Sequence, residues 1–441
     1  MPATPLDSAI YRDLLGDEPV ARLFTDAAEI RAMMLVEGAL ARVQGDLGLI
    51  PKTAAAFLHR AMHEAVLDPA ALAGETGRSA VPVPGLLAAL RTALGAPEHT
   101  RFLHWGGTSQ DIVDTGLALR LRQVLLLLDE RLAELGTALG ELAGSHAELP
   151  MGGRTYGQLA TPTSFGAVAA SWGAPLLRHR QRLAELRPRL LLVSLAGATG
   201  TLAAMGPQGP AVRAGLAAAL GLGDPGGSRH AERDGVAELA AWLALVCGSL
   251  GKMGEDLVLL AASGEVRLPE AGGSSTMPQK QNPVLPSLLG ALARMAAALA
   301  GAVQGAALHR QQRDAAAWMV EWLALPQLCL VTGRALTAGL ALARGLEPRS
   351  DAMARGLDPD GLGLAAAEAL SFALADAMPR PEAGAETKRL VAEARATGAP
   401  LARLAARDHP GRPWEAVLAP ARLLGTAPAD ARAFAAAARV T

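Results

Sequence analysis

Aromatic residues are scarce in this chain, at 3%, while hydrophobic residues reach 51%. Strands favour aromatic and β-branched side chains, so an Ala/Leu-rich apolar fraction without them predicts an all-α protein. Cysteine is nearly absent: Cys247 and Cys329 both lie in apolar helical stretches, where they read as small buried hydrophobes. That excludes a disulfide scaffold. There is no excess of either charge, with 41 basic against 42 acidic residues, so no summed field attracts nucleic acid or an anionic membrane. The expected partners are a small molecule and other copies of the chain. The opening MPATPLDSAIYRDLLGDEP has no basic segment followed by an apolar run, so no secretory signal is expected and a cytoplasmic location fits. Residues 190–212 carry no charge and approach the length of a membrane span. Gly197, Gly200, Gly206, Pro207, Gly209 and Pro210 would leave backbone groups unpaired in lipid, which makes the stretch an inter-helix turn instead.

At 441 residues a large core is available. Between Thr25 and Leu47 apolar residues recur at three- and four-residue spacing, predicting an amphipathic helix closed by Gly48 and Pro51. Residues 78–84 (RSAVPVP) read as a turn or extended connector. Leu121, Leu125, Leu128, Leu132, Leu135, Leu139 and Leu142 then mark the seam of a long bundle helix. Further long helices are expected over 162–187, 231–265, 284–313 and 319–344. Helices of about 25 to 40 residues reach about 40 to 60 Å, longer than one globular core needs, so their remaining apolar faces are expected to meet other subunits. Beyond Gly345, Pro-broken stretches predict shorter helices. The expected domains are 1–107, a central bundle 108–345 and a small helical domain 346–441.

Three polar clusters interrupt this apolar chain. His104 to Thr115 (HWGGTSQDIVDT) sets Thr108, Ser109, Gln110 and Asp111 at a helix start, where Thr and Ser are good N-caps and where backbone N–H groups also favour a carboxylate. Gly152 to Gly166 (GGRTYGQLATPTSFG) gathers Arg154, Tyr156 and Gln158 ahead of a helix whose start is expected at Pro162. Gly272 to Pro283 (GGSSTMPQKQNP) joins flexible backbone, the hydroxyls of Ser274 and Ser275, Met277, the Lys280 cation and the Asn282 amide. That is the make-up of a catalytic loop that closes over a carboxylate. Arg313 and Arg78 are candidates for a further substrate carboxylate, although an arginine near a helix end is often a surface ion pair. His104 and His146 read as structural histidines near the first two clusters. No CxxC, HExxH or clustered carboxylate set points to a metal, and the loop lacks the spacing of a phosphate loop.

In order and spacing, the three clusters resemble the active-site regions of the fumarase/aspartase superfamily, over roughly residues 25–404. The resemblance implies a three-domain helical fold and a homotetramer in which the three regions come from different subunits. It also implies that Ser274 moves a proton at the carbon next to a carboxylate and that Lys280 and Asn282 hold that carboxylate. Thr108, Ser109 and Gln158 would hold the substrate from neighbouring chains. Most members that expel water, ammonia or an amine have His where this chain has Tyr156, and Glu where it has Ser287. A strongly basic leaving group needs a general acid, whereas a carboxylate, with a pKa near about 4, does not. These departures, with TSQDIVDTGLALRLR and RDAAAWMVEW, imply the lactone-forming branch of the superfamily, which needs no cofactor. Adenylosuccinate or argininosuccinate lyase chemistry is disfavoured by Tyr156 and Ser287. A catalytically silent helical scaffold is disfavoured by the intact loop.

Overall fold

The computed structural model describes residues 4–269, 272–273, 277 and 280–440. After short N-terminal turns come α1 (Asp26–Asp46), α2 (Lys52–Glu64), α3 (Ala73–Ser79), α4 (Val83–Leu94) and the 37-residue α5 (Ser109–Ser145). A hairpin of β1 (Pro150–Thr155) and β2 (Gln158–Ser164) leads into α6 (Phe165–Leu190), α7 (Gly209–Leu220) and α8 (Asp234–Ala262). Three two-residue strands follow: β3 (Val266–Arg267), β4 (Gly272–Gly273) and β5 (Gln281–Asn282). The chain continues through α9 (Val284–Ala306), α10 (Ala315–Gly345), β6 (Glu347–Pro348), α11 (Ser350–Leu357) and shorter C-terminal helices. The fold is predominantly helical, as the scarcity of aromatics requires.

Local chemistry sets the boundaries. Thr25 caps α1 by accepting from the Ala28 amide at 3.2 Å, and the helix ends beside Gly48 with φ +77°. A Cβ at Gly45 would collide with Ala55, so glycine there is what lets α1 and α2 approach. The 78–84 segment is more helical than expected: Arg78 lies in the last turn of α3, Ala80 turns in the left-handed region, and Pro84 lies in the first turn of α4, where a missing N–H costs nothing. Pro162 does not start a helix. It sits in β2 opposite Gly152, and α6 begins at Phe165, its first turn held by Ser164 Oγ accepting from the Ala167 amide at 3.1 Å.

Two compact units partition the chain, one formed by 1–130, 179–248 and 292–334, the other by 131–178, 249–291 and 335–441. Each of the long helices α5, α6, α8, α9 and α10 contributes residues to both. The first unit has a core of Met33, Leu40, Leu58, Met62, Leu86 and Leu90 from α1, α2 and α4. In the second, Leu370, Leu390, Leu401 and Trp414 gather the C-terminal helices. All seven leucines of the α5 seam are buried. By length and composition alone α8, α9 and α10 would suffice to cross a membrane. Each nevertheless buries a large share of its apolar window within the chain, and α8 carries Lys252, Glu255 and Asp256.

Candidate active site

The head of α5, in the first unit, is over-determined. Asp111, at the third helical position, accepts from the Thr108 amide at 2.9 Å and so closes the first turn in the manner of a capping box. The same buried carboxylate takes the Ala196 and Gly197 amides at 2.8 and 3.0 Å and lies 2.8 Å from His230 Nε2. Asp111 is therefore a keystone holding segment 194–197 and His230 to the helix, with Thr115 Oγ1 adding the Ser194 amide at 2.8 Å. One turn on, Asp114 accepts from Arg233 Nη1 at 2.7 Å, Trp318 Nε1 at 3.0 Å and Gln110 Nε2 at 3.1 Å. Arg233 in turn grips Glu321, its Nε 2.8 Å from Oε1.

Buried charges survive only when paired and hydrogen-bonded. Burial opposes the charge on Arg233, but Asp114 and Glu321 outweigh it and hold the guanidinium protonated. Glu321 is pushed above its ordinary carboxyl range, by burial first and by the Asp114 charge, against the pull of Arg233. His309, 3.9 Å from Glu321, is held below its usual value by burial and by Arg233, and neither of its ring nitrogens has a hydrogen-bond partner.

This network leaves one hydroxyl turned outward. Asp111 closes the turn, so Thr108 Oγ1 is not spent on capping and instead accepts from Arg313 Nη1 at 2.7 Å. A hydroxyl and an exposed cation thus meet at the positive end of a long helix, with Ser109 half-buried beside them, the elements of a carboxylate seat. His104 stands behind it with φ +63°, its Nδ1 2.6 Å from Glu37 Oε1. Burial lowers the His104 pKa, but the charge and hydrogen bond of Glu37 carry it above the usual value. Arg78 is elsewhere: it pairs with Glu75 on the surface of α3.

In the second unit the residues are presented differently. Thr155 pairs with Gln158 across a two-residue turn, Tyr156 at φ +50° and Gly157 at φ +73°, the positive pair that a tight hairpin demands. Tyr156 is fully exposed, and Gln158 is exposed on β2. Gly153 opposes the strand so closely that a Cβ would stand 2.7 Å from Thr161 O. Arg154 anchors the hairpin, its Nη2 2.6 Å from the buried Glu265. Beyond α8, Gly272 pairs with Asn282 and Gly273 with Gln281, so the intervening loop is tied at its base. Lys280 and Met277 are exposed and Asn282 is half-buried. The expected proton carrier Ser274, and Ser275, lie outside the described residues. Ser287 is exposed in the first turn of α9. His146 stands edge-to-face with Phe165, ring centroids 5.8 Å apart, and burial lowers its pKa. Among the described residues no group of His, Cys, Asp or Glu is arranged to hold a metal.

Sequence reasoning passed over His230, Arg233 and His309. The first two stand in RHAERD, a polar run between a Gly-rich turn and an apolar helix, so a signal was present.

This helical frame, with its polar sites at the ends of long helices, defines a class. A lyase family model matches residues 20–298, and the chain belongs to that family, with the fumarase/aspartase fold. More particularly, it is 42% identical over 375 residues to 3-carboxy-cis,cis-muconate cycloisomerase of Pseudomonas aeruginosa, covering 83% of this chain and 81% of that one. The protein of the same name from Pseudomonas putida is 40% identical over 369 residues, covering 82% and 87%. Among solved structures, the 3-carboxy-cis,cis-muconate lactonizing enzyme from Pseudomonas putida superposes with a TM-score of 0.93 at 35% identity, covering 98% of this chain and 99% of that one.

Proposed function

We propose that the chain closes 3-carboxy-cis,cis-muconate to a carboxymuconolactone: one carboxylate oxygen adds to the conjugated double bond, and the adjacent carbon is protonated. The observation that carries this reading is the carboxylate seat at the head of α5, where Arg313 meets the Thr108 hydroxyl, in a chain similar to cycloisomerases. Tyr156 and Ser287, at the positions of the superfamily's usual His and Glu, fit a reaction whose nucleophile is already an anion. In this mechanism Thr108, Ser109 and Arg313 fix one carboxylate, Gln158 and Tyr156 approach from the hairpin, and Lys280 with Asn282 stabilises the charge that develops next to the protonated carbon. Holding oxygen and carbon near attack distance and stabilising that charge together supply the acceleration. Ser274 delivers the proton. No cofactor enters, and the reaction belongs to protocatechuate breakdown in the cytoplasm.

The site is completed by other copies in a homotetramer. Leu126, Leu259, Met295 and Leu323 lie exposed on long helices, apolar surface suited to a second copy, and the fully exposed Tyr156 in the left-handed region suits presentation to another chain. The test is an assay of purified protein with 3-carboxy-cis,cis-muconate, following loss of its conjugated-diene absorbance. Turnover of adenylosuccinate with none of carboxymuconate would overturn the reading.

A further inference from the structure

A cavity of about 250 Å³ opens on the flank of α5 in the first unit, among α1, α2 and α7. Its polar lining is Arg42 from α1, His59 and His63 from α2, and Arg122 and Gln123 from α5. No described acidic residue lines it, although the chain as a whole has 41 basic and 42 acidic residues. Arg42 is exposed and has no ion-pair or hydrogen-bond partner among the described residues. Arg122 is fixed from one side only: Nη1 donates to Leu220 O at 2.8 Å and to Gly221 O at 3.1 Å, carbonyls at the C-terminal end of α7. Its other guanidinium donors meet no acceptor among the described residues and stay open to solvent. His59 Nδ1 lies 3.2 Å from Gly38 O, and a carbonyl only accepts, so this nitrogen carries the hydrogen of the neutral ring. Nε2 is then left with a lone pair, unpartnered among the described residues and reached by solvent. Gly38 makes that bond reachable, since a Cβ there would stand 2.9 Å from Met62 Cβ and hold α2 away.

These groups define one kind of occupant. Two open guanidinium groups on different helices call for an anion whose oxygens point in several directions, as those of a phosphate do and those of a planar carboxylate do not. The His59 lone pair adds a second selection. Opposite an anionic oxygen it needs a proton between them. A phosphate monoester, whose second proton leaves with a pKa of about 6, can share one near neutral pH, whereas a carboxylate, with a pKa of about 4, has none to share. Leu35, Leu119 and Leu220 supply an apolar wall for the organic part. We propose that this cavity is a second binding site, for a small phosphate monoester held by Arg42, Arg122 and His59. It is separate from the seat at Thr108. Arg122 lies about 21 Å further along α5, at roughly 1.5 Å per residue, and no lining residue belongs to the three polar clusters.

The test is calorimetric titration of the intact protein with phenyl phosphate at fixed ionic strength, against benzoate and inorganic phosphate as controls. Phenyl phosphate is expected to bind at one saturable site per chain, and each control at least about tenfold more weakly. Arg42→Met and Arg122→Met should each weaken binding at least about tenfold. Arg60→Met, one residue from His59 on α2 but outside the lining, should leave affinity within about twofold, which separates a site from a general basic field. Excess tricarballylate, a small tricarboxylate suited to the carboxymuconate site, should leave phenyl phosphate in place. Circular dichroism checks that each variant folds. If Arg122→Met, which releases the α7 carbonyls, does not fold, Arg42→Met decides, because Arg42 has no polar contact to lose. Absence of binding, equal affinity for either control, full affinity in a folded Arg42→Met or Arg122→Met, an equal loss in Arg60→Met, or displacement by tricarballylate would each overturn the proposal.

Discussion

The head of α5 and the hairpin–loop pair are built on opposite principles. At the head of α5, Asp111, Asp114 and Arg233 are all buried or nearly so, and every one is held by several partners within its own unit. At the hairpin tip Tyr156 touches water on all sides, and in the loop Lys280 is exposed above a base of two paired glycines. A buried charge network has a fixed geometry because any shift leaves a charge uncompensated. An exposed arm has no such constraint and takes its working geometry from whatever it meets. In the proposed function the first is a rigid seat, and the second supplies arms that a substrate or a second chain sets in place.

The sharpest way to break that contrast is to remove function from an arm without touching stability. Lys280→Ala should lower kcat/KM by roughly a hundredfold to a thousandfold while leaving Tm unchanged within about 1 °C, because in the proposed mechanism the side chain, exposed in this structure, works in the transition state. Steady-state kinetics with a parallel melt decide it, and a large loss of Tm would show that the loop is structural. The next test asks whether the arms serve another chain. Gln158→Ala and Ser274→Ala are each expected to be nearly inactive. Refolded together in equal amounts, they should recover activity toward about one quarter of wild type if hairpin and loop residues meet across subunits. Proven mixed oligomers without recovery would mean that each chain builds its own site.

The seat should respond the other way. Arg233→Met strands Asp114 and Glu321 in a buried place, so unfolding free energy should drop by about 3 to 5 kcal/mol in urea titration. A loss under about 1 kcal/mol would show that solvent, not Arg233, compensates those carboxylates.

What could be read from sequence divides along the same line. The α5 seam and the helix between Thr25 and Leu47 were legible because helix periodicity is a local code. The loop stood out because its residue types are chemically specific, although Ser274 and Ser275 lie outside the described residues. Pro162 misled, because a proline that can open a helix can equally sit in a strand of a two-stranded hairpin, and only pairing with Gly152 distinguishes the two. The Asp114–Arg233–Glu321 network was out of reach for a stronger reason. Its members stand 119 and 88 positions apart, and nothing local marks which of many charged residues will be buried together. The pairing of Thr108 with Arg313, 205 positions apart, was likewise invisible, although each had been singled out alone.

The smallest effect concerns the boundary of the seat, where His104 meets Glu37. With its pKa raised in the fold above an unfolded value near about 6.5, the imidazolium contributes stability that is fully present below that value and is lost as pH rises through the folded one. His104→Gln should therefore cost more at pH about 5.5 than at pH about 8.5. His309 and His146 are shifted in the opposite direction by burial and contribute with the opposite sign. Both remain in the variant, so their titration cancels when wild type and variant are compared at each pH. Urea unfolding at the two pH values gives the result directly. A larger cost at the higher pH would show that the fold does not favour the charged form of His104.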